Sequence, residues 1–243
     1  MSFGKSSFGA LMAAVLLTVM VVPSAGGAAL DDSKPLRIGL IGTGKIGSAL
    51  AKHWAKAGHE LMLASRHPEE LKDLAKSLGP KVRTGTPREA AAFGDVVLVS
   101  IPYGAMPQLG QDLKSELKGK VVLDTGNPYP NRDGPMAVEA RKRGSGVTSA
   151  ELLPGTRLVR AFNAIKYTDL TNEANHPGEK YGIPLAGDDP EALRVAQRLV
   201  RDAGFDPVVV GGLARAKDFD PDTPVYVKLL TAAELRKALN PSK

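Results

Sequence analysis

The sequence predicts a single α/β domain in which a doubly wound, mostly parallel sheet carries helices on both faces. Short apolar runs alternate with amphipathic segments of helical length, and a glycine-rich turn joins the first run to an Ala-rich segment. No linker or internal repeat divides the chain. Strands and helices that alternate in this way form parallel sheets, whose ligands lie beyond the carboxyl ends of the strands.

The first 29 residues are expected to precede this domain, which is assigned to residues 30–243. A single cation, Lys5, is followed by an apolar run from Phe8 to Val22 and then by small residues up to Ala29. This is the layout of a secretory signal peptide, cleaved after Ala28 or Ala29, and it predicts a periplasmic or secreted protein. The run is short for a bilayer span, which takes about 20 residues. An uncleaved membrane anchor is the alternative.

The first predicted strand, Leu36 to Ile41, runs into Gly42, Gly44 and Gly47, which have the spacing Gly-x-Gly-x-x-Gly. A helix is expected from Lys45 to Ala57. In this pattern the first glycine makes the turn, the second lets phosphates approach and the third lets helix and strand pack closely. The pyrophosphate then lies on a helix N-terminus. The fold is therefore predicted to be of the dinucleotide-binding Rossmann type.

A P-loop is the competing phosphate motif, because Gly39 to Lys45 nearly has its spacing. Ile46 stands where that motif needs a Ser or Thr to hold Mg²⁺, so nucleotide hydrolysis is disfavoured.

The second predicted strand, Glu60 to Ala64, ends in Ser65 and Arg66. A site selective for NAD places Asp or Glu near this point, where the carboxylate accepts a hydrogen bond from the ribose 2′-hydroxyl. A hydroxyl and a guanidinium suit a 2′-phosphate instead, because Arg makes paired, charge-assisted hydrogen bonds to it. The expected cofactor is NADP(H).

The remaining elements continue the alternation, and the stretch 131–149 is polar and Gly-rich, with one helix expected within it. Helices are expected at 68–78, 87–93, 104–117, 135–143, 191–203 and 231–239, and strands at 82–85, 95–101, 120–124, 157–162, 182–187 and 205–210. Four strand ends should then meet in one crevice. They are Gly42 to Ile46, Ser65 with Arg66, Ser100 to Tyr103, and Asp124 to Asn127.

Composition argues against several other functions. The net charge of +6 is scattered along the chain and aromatic residues make up only 5%, so nucleic-acid binding is not expected. The chain has no Cys, and its four His residues lack ligand spacing, so no metal site is expected. The absence of Tyr-x-x-x-Lys disfavours the short-chain reductase mechanism. The residues after Val210 are too few for the helical domain that pyrroline-carboxylate and 3-hydroxyacid reductases add.

Taken together, the strand-end segments resemble the NADPH-dependent reductases that use the deazaflavin coenzyme F420. The same module resembles the NADPH domain of the six-transmembrane ferric reductases. The segments are 41–47, 65–66, 99–102, 124–128 and 160–163, and the resemblance runs from about Leu36 to Val210.

This resemblance implies that NADP(H) is bound by Thr43, Gly44, Lys45 and Ile46 and by Ser65 and Arg66. It also implies that Ser100, Ile101, Pro102, Tyr103, Asn127, Ala161 and Asn163 surround the nicotinamide. The chain departs from the family in one respect. Glu69 and Glu70 stand where the family often has a second cation after the Ser-Arg pair, which leaves His67 or Lys72 as substitutes.

The predicted activity is hydride transfer between NADPH and a second redox acceptor, such as a deazaflavin or flavin-type cofactor. This reaction needs close placement of two rings and no catalytic acid, base or nucleophile from the protein. Asp124 is expected to fix its own turn, whereas Tyr103 and Asn127 are expected to contact a ring or carboxamide.

Two alternatives remain open at this stage. One is an exported NADP-binding module without turnover, and the other is a ferric or flavin reductase. The expected partner is a small-molecule acceptor, with membrane contact only through an uncleaved N-terminus, and a homodimer is left open.

Overall fold

The computed structural model describes residues 34–239, together with Met1 and Gly4. Eight strands form one sheet in the order β3-β2-β1-β4-β5-β6-β7-β8. They are β1 (Arg37–Ile41), β2 (Glu60–Ala64), β3 (Val82–Gly85), β4 (Val96–Val99), β5 (Val121–Asp124), β6 (Arg157–Arg160), β7 (Gly182–Gly187) and β8 (Asp206–Gly211).

The strands pair in parallel from β3 to β6, and β7 pairs antiparallel with β6 and parallel with β8. Within the sheet, the chain passes first through β1 and moves outward through β2 to β3. It then returns to β4 on the other side of β1. The crevice at such a reversal of strand order is where open α/β sheets bind ligands. This topology places the glycine turn, which follows β1, at that crevice.

Helices cover both faces of the sheet. They are α1 (Lys45–Lys56), α2 (Lys72–Leu78), α3 (Pro87–Phe93), α4 (Met106–Asp112), α5 (Lys114–Leu117), α6 (Pro130–Asp133), α7 (Pro135–Arg143), α8 (Ser145–Leu152), α9 (Tyr167–Asn172), α10 (Pro190–Asp202) and α11 (Ala232–Leu239).

Alternate residues of the central strands feed two separate cores, because successive side chains of a strand point to opposite faces. Leu40 and Leu98 belong to the core under α1 and α10, and Ile41 and Val99 belong to the core on the other face. Trp54 is buried in the first core, where its indole Nε1 donates to the Leu199 carbonyl oxygen at 2.9 Å. A third cluster packs the segment after β8 against β7 and β8.

The predicted fold class is confirmed, and most predicted elements appear within a few residues of their expected bounds. Asp189 caps α10 as expected, since its carboxylate accepts from the Ala192 N–H at 2.7 Å. The predicted helix 68–78 begins as a 3₁₀ turn at Pro68–Leu71, and the predicted helix to 117 is divided into α4 and α5.

Three of the described helices were not predicted: α6, α8 and α9. The helix expected at 135–143 is present as α7, and the Gly-rich segment after it forms α8, in which Gly146 serves close packing. A Cβ built on Gly146 would lie 2.5 Å from the Leu213 carbonyl oxygen.

The predicted signal peptide, residues 1–29, lies outside the described residues apart from its first and fourth positions. Among the described helices none is both long enough and apolar enough to cross a membrane.

Candidate functional site

The glycine turn joins β1 to α1, and its three glycines have different surroundings. Gly42 has a φ of +97°, and a Cβ built on it would lie 2.3 Å from the Ser100 carbonyl oxygen. A Cβ on Gly47 would lie 2.1 Å from the Gly42 carbonyl oxygen. Gly44 differs, because a Cβ there would meet no protein atom within 4 Å. Gly42 and Gly47 are thus required by the packing of the turn, and Gly44 leaves open space.

The N-terminus of α1 faces that space without a protein cap. Gly44 provides no capping side chain, and the first turn of α1 contains no acidic residue. The first N–H groups of a helix have no partner within it and carry a partial positive charge. Open space beside an uncapped helix end fits a pyrophosphate group.

On one side of the turn opens a crevice of about 730 Å³, called here the Arg66 crevice. Strand ends and the adjoining helix starts line it. The lining residues are Ile41, Gly42, Ala64, Ser65, Arg66, Thr86, Pro87, Arg88, Ile101, Pro102, Ala105, Gln108, Leu109, Asp112 and Leu113. Arg66 is exposed at its rim, and the Ser65 hydroxyl accepts from the His67 N–H at 3.0 Å. The pair predicted for the 2′-phosphate therefore lies at the crevice.

Neither substitute considered for the second cation, His67 or Lys72, lines the Arg66 crevice. The cation that does line it is Arg88, at the start of α3. Its guanidinium pairs with Glu116 and donates to the Asp112 carbonyl oxygen at 2.6 Å. Sequence reasoning missed Arg88 because it counted four strand ends and omitted the end of β3. The signal was present, since β3 was predicted as a strand and parallel strands end at the same edge of a sheet.

On the other side of the turn lies a crevice of about 370 Å³, called here the Asn127 crevice. It is lined by the start of α1, the loops after β5 and β6, the start of α9 and a segment near the C-terminus. The lining residues are Lys45, Ile46, Thr125, Asn127, Tyr129, Phe162, Asn163, Ile165, Lys166, Tyr167, Thr168, Tyr226 and Val227. Lys45 Nζ lies 4.4 Å from the centre of the Tyr167 ring, a cation–π contact at the rim.

Asn127 and Asn163 connect the loops that line the Asn127 crevice. Asn127 Nδ2 donates to the Asn163 carbonyl oxygen at 2.7 Å and to the Tyr226 hydroxyl at 3.2 Å, which uses both of its amide hydrogens. The side-chain oxygen Oδ1 of Asn163 is buried and has no hydrogen-bond partner among the described residues. A carboxamide N–H from a nicotinamide would supply the missing donor, so the residues present fit this half of the cofactor as well.

Tyr129 and Tyr226, called here the tyrosine pair, meet through their hydroxyl groups at the wall of the same crevice. Burial raises the pKa of Tyr226 above its usual value, and the contact with Tyr129 adds to the rise. Sequence reasoning missed Tyr226, because it lies beyond the stretch that carries the resemblance and no spacing connects it to Asn127.

A buried ionic cluster supports the Asn127 crevice from behind. Arg160 is fully buried, and its Nη1 donates to Asp124 Oδ2 at 2.7 Å and to the Gly126 carbonyl oxygen at 2.6 Å. Its Nη2 lies 3.4 Å from Asp220 Oδ1. Asp124 Oδ1 accepts from the Gly126 N–H at 2.7 Å. Asp124 is thus enclosed and bonded to its own turn, which supports the structural role expected for it.

Tyr103 requires a correction. It was expected to contact a ring or carboxamide, but its side chain is fully buried in the core on the α4 and α8 side of the sheet. Its hydroxyl donates to the Ser145 carbonyl oxygen at 3.2 Å and lies 3.1 Å from Ser149 Oγ. Burial raises the pKa of Tyr103 to about 12. A Cβ built on Gly126 would lie 3.3 Å from the Tyr103 ring, so the buried ring supports the loop after β5.

The other predicted residues fall into four groups. Gly42, Ser65, Arg66, Ile101 and Pro102 line the Arg66 crevice, and Lys45, Ile46, Asn127 and Asn163 line the Asn127 crevice. Thr43, Gly44 and Gly47 belong to the turn between the two crevices. Ser100 and Ala161 line neither crevice: the Ser100 hydroxyl accepts from Thr125 Oγ1 at 3.0 Å, and Ala161 is fully buried.

Across the described part of the chain, no group of three or more His, Asp or Glu side chains is arranged to hold a metal ion.

The chain is similar in sequence to NADP-dependent oxidoreductases and to a metalloreductase. Residues 37–128 match a family described as "NADP oxidoreductase coenzyme F420-dependent". An F420-dependent NADP reductase from Methanothermobacter thermautotrophicus is 29% identical over 217 residues, which cover 84% of this chain and 93% of that protein. The metalloreductase STEAP3 of Rattus norvegicus is 24% identical over 84% of this chain, which corresponds to only 40% of its own length.

A solved structure extends the similarity to three dimensions. The hypothetical protein SMa0349 from Sinorhizobium meliloti superposes with a TM-score of 0.72 at 27% identity, and the match covers 82% of this chain and 96% of that one. The family match and the relatives confirm the resemblance inferred from the strand-end segments. The likeness to SMa0349 supports the α/β fold observed here.

Proposed function

We propose that this chain, which resembles the F420-dependent NADP reductases in sequence, transfers hydride between NADP(H) and a second redox acceptor of the deazaflavin or flavin type. Its broader class, an NADP-dependent oxidoreductase with NADP(H) as cofactor, agrees with the description of the matching family and with the names of the relatives. The identity of the acceptor is the part that is proposed.

One observation carries the proposal. The glycine turn stands between two crevices, and each has the chemistry that one half of a dinucleotide needs. The Arg66 crevice offers apolar walls, two guanidinium groups and a serine hydroxyl, which suit an adenosine that bears a 2′-phosphate. The Asn127 crevice offers amides, phenol groups and ring faces. Its volume of about 370 Å³ lies within the range of small-ligand pockets, so it can admit a nicotinamide and part of a second ring.

The residues of the chain act by binding and orientation. The uncapped start of α1 would face the phosphates, Arg66 and Arg88 would hold the 2′-phosphate, and Asn163 Oδ1 would accept from the carboxamide N–H. When bound, NADPH would supply the hydride that reduces the acceptor. The walls of the Asn127 crevice hold the two rings together, which converts a bimolecular encounter into a reaction between positioned groups.

The test is a screen for NADPH oxidation by the purified protein. Oxidation is monitored as the loss of absorbance of the reduced nicotinamide. The acceptors are a deazaflavin, flavin mononucleotide, flavin adenine dinucleotide and ferric citrate. Ferric citrate is included because of the similarity to a metalloreductase. Saturable oxidation with a deazaflavin or flavin is expected. Saturable NADPH binding without oxidation of any acceptor would instead favour an NADP-binding module without turnover.

The export of the protein is a separate proposal, supported by the order of cation, apolar run and small residues in positions 1–29. Determining the first residue of the mature protein from its native host tests it. A mature protein that begins after Ala28 or Ala29 is expected, and an intact Met1 in the purified protein would favour the membrane anchor.

A further inference from the structure

Tyr226, one member of the tyrosine pair, lies in a segment that includes the strained residue Val227. The Val227 N–H donates to the Ala164 carbonyl oxygen at 2.9 Å, and the Tyr226 N–H donates to the Thr223 carbonyl oxygen at 3.1 Å. Val227 has a φ of +52°, a conformation that β-branched residues avoid. Such strain persists only where surrounding contacts enforce it, and it is concentrated at functional sites. The segment therefore fixes the position of the Tyr226 hydroxyl.

A count of hydrogens shows that the pair has one donor to spare. Tyr226 accepts from Asn127 Nδ2 at 3.2 Å, and one of the two hydroxyls donates to the other. Each phenol has one hydrogen, so one O–H hydrogen of the pair has no acceptor among the described residues. Both tyrosines line the Asn127 crevice, where a ligand can supply that acceptor.

The surrounding groups keep the Tyr226 hydroxyl protonated. Tyr226 is influenced by its own burial first, then by the Tyr129 hydroxyl, the Arg160 guanidinium and the Asp220 carboxylate. Lys45 and Lys166 line the same crevice. The balance raises the pKa of Tyr226, so its hydroxyl remains a hydrogen-bond donor throughout the neutral pH range.

We propose that the tyrosine pair donates a hydrogen bond to the oxygen or ring nitrogen of the acceptor on which negative charge develops during hydride transfer. This inference rests on the proposed function and names the chemistry of its acceptor. The acceptor is a conjugated molecule in which a carbonyl or ring nitrogen lies close to the atom that receives the hydride. Asn127 positions the donor, since both of its own amide hydrogens are used within the protein.

A C–H bond of the reduced nicotinamide breaks, a new bond to hydrogen forms on the acceptor, and two electrons pass with the hydride. The acceptor is thereby reduced and carries one negative charge, which the phenol O–H stabilises until water delivers a proton. A fixed donor at the point where charge develops lowers the barrier, because it needs no rearrangement at the moment of reaction.

The experiment compares Tyr226→Phe and Tyr129→Phe with the wild-type protein, and Tyr181→Phe serves as the matched control. Tyr181 lines neither crevice, and its ring packs against His176 at a centroid distance of 4.8 Å. Turnover of NADPH with flavin mononucleotide should fall by about 10- to 100-fold in at least one crevice variant and remain unchanged in the control. The dissociation constant for NADP⁺ should change by less than about twofold, since the hydroxyls are assigned to the acceptor.

A second readout needs no turnover. Alkaline titration of tyrosinate absorbance in the unliganded protein should show one high-pKa tyrosine fewer in Tyr226→Phe. In Tyr129→Phe the remaining Tyr226 should titrate at lower pH, because the Tyr129 hydroxyl contributes to its raised pKa.

Three outcomes separate this inference from the proposed function. Turnover by both crevice variants that equals the Tyr181→Phe control would overturn the inference and leave the proposed function standing. Unchanged turnover with weakened NADP⁺ binding would assign the pair to the cofactor and also overturn it. A wild-type protein that binds NADP⁺ and reduces no acceptor would refute the proposed function itself, and this inference with it.

Discussion

Replacing Arg66 with Ala should weaken the binding of NADPH and leave the binding of NADH almost unchanged. Arg66 lines the Arg66 crevice together with Ser65 and Arg88. Only a 2′-phosphate would present it with a negatively charged acceptor there, so the loss should be specific to the phosphorylated cofactor.

The magnitude follows from the exposure of the guanidinium group. Hydrogen bonds to charged groups contribute about 1.5–3 kcal/mol, and solvent screening reduces the value for an exposed side chain. Arg66 is exposed, and Arg88 supplies a second cation to the same crevice. We therefore expect a loss of about 1–2 kcal/mol, which corresponds to a 5- to 30-fold increase in the dissociation constant for NADPH.

The assay is a fluorescence titration of the reduced cofactors against wild-type protein, Arg66→Ala and a control, Arg83→Ala. Arg83 is an exposed cation on β3 that stacks over Phe93 and lines neither crevice. The difference between wild type and Arg66→Ala should shrink as salt is added. Equal losses for NADPH and NADH in Arg66→Ala, or an equal loss in Arg83→Ala, would refute the assignment of the 2′-phosphate to Arg66.

Three further predictions follow from the glycine turn, the second cation and one buried histidine. Gly44→Ala should fold with an unchanged melting temperature, because a Cβ there meets no protein atom, yet lose at least about tenfold in affinity for NADPH and NADH alike. Gly42→Ala should lower the melting temperature, because a Cβ at this positive φ would lie 2.3 Å from the Ser100 carbonyl oxygen. Equal melting temperatures for the two variants would contradict the roles given to these glycines. Arg88→Ala should weaken NADPH binding by about 2- to 5-fold. Glu116→Gln should strengthen NADPH binding, because it releases the Arg88 guanidinium from its partner. Tighter binding in Arg88→Ala would contradict the role of Arg88 as the second cation. His59 has a pKa lowered first by burial, so the folded state favours the neutral imidazole. Its contribution to stability is fully present above the unfolded pKa of about 6.5 and is lost as the pH falls below it, so the melting temperature of wild type should decline there more steeply than that of His59→Gln.

The glycine turn shows why part of the site could be predicted from the sequence. Gly42, Gly44 and Gly47 lie within six residues, and the geometry that they impose is local. The end of β2 was predicted for a similar reason, because the length of one strand, turn and helix places Ser65 and Arg66 beside the turn. The order of strands then followed from their alternation with helices.

The Asn127 crevice was predicted less well, since its contacts span long stretches of chain. Tyr226 meets Asn127 across 99 positions, and Arg160 meets Asp220 across 60. No periodicity marks such pairs. Tyr103 was assigned to the nicotinamide because it follows a strand end, but a residue one turn further along can point into the core, and here it does.

By itself, the sequence determined the fold class, the glycine turn after β1 and the Ser65-Arg66 pair at the end of β2, because each depends on residues close together in the chain. Only the tertiary structure decided which side chains complete the two crevices. Arg88 reaches the first because β3 ends beside β2, and Tyr226 reaches the second because the segment after β8 folds back to the end of β6. The physical reason is that local spacing governs turns and helix starts, whereas packing of distant elements governs where a side chain finally points.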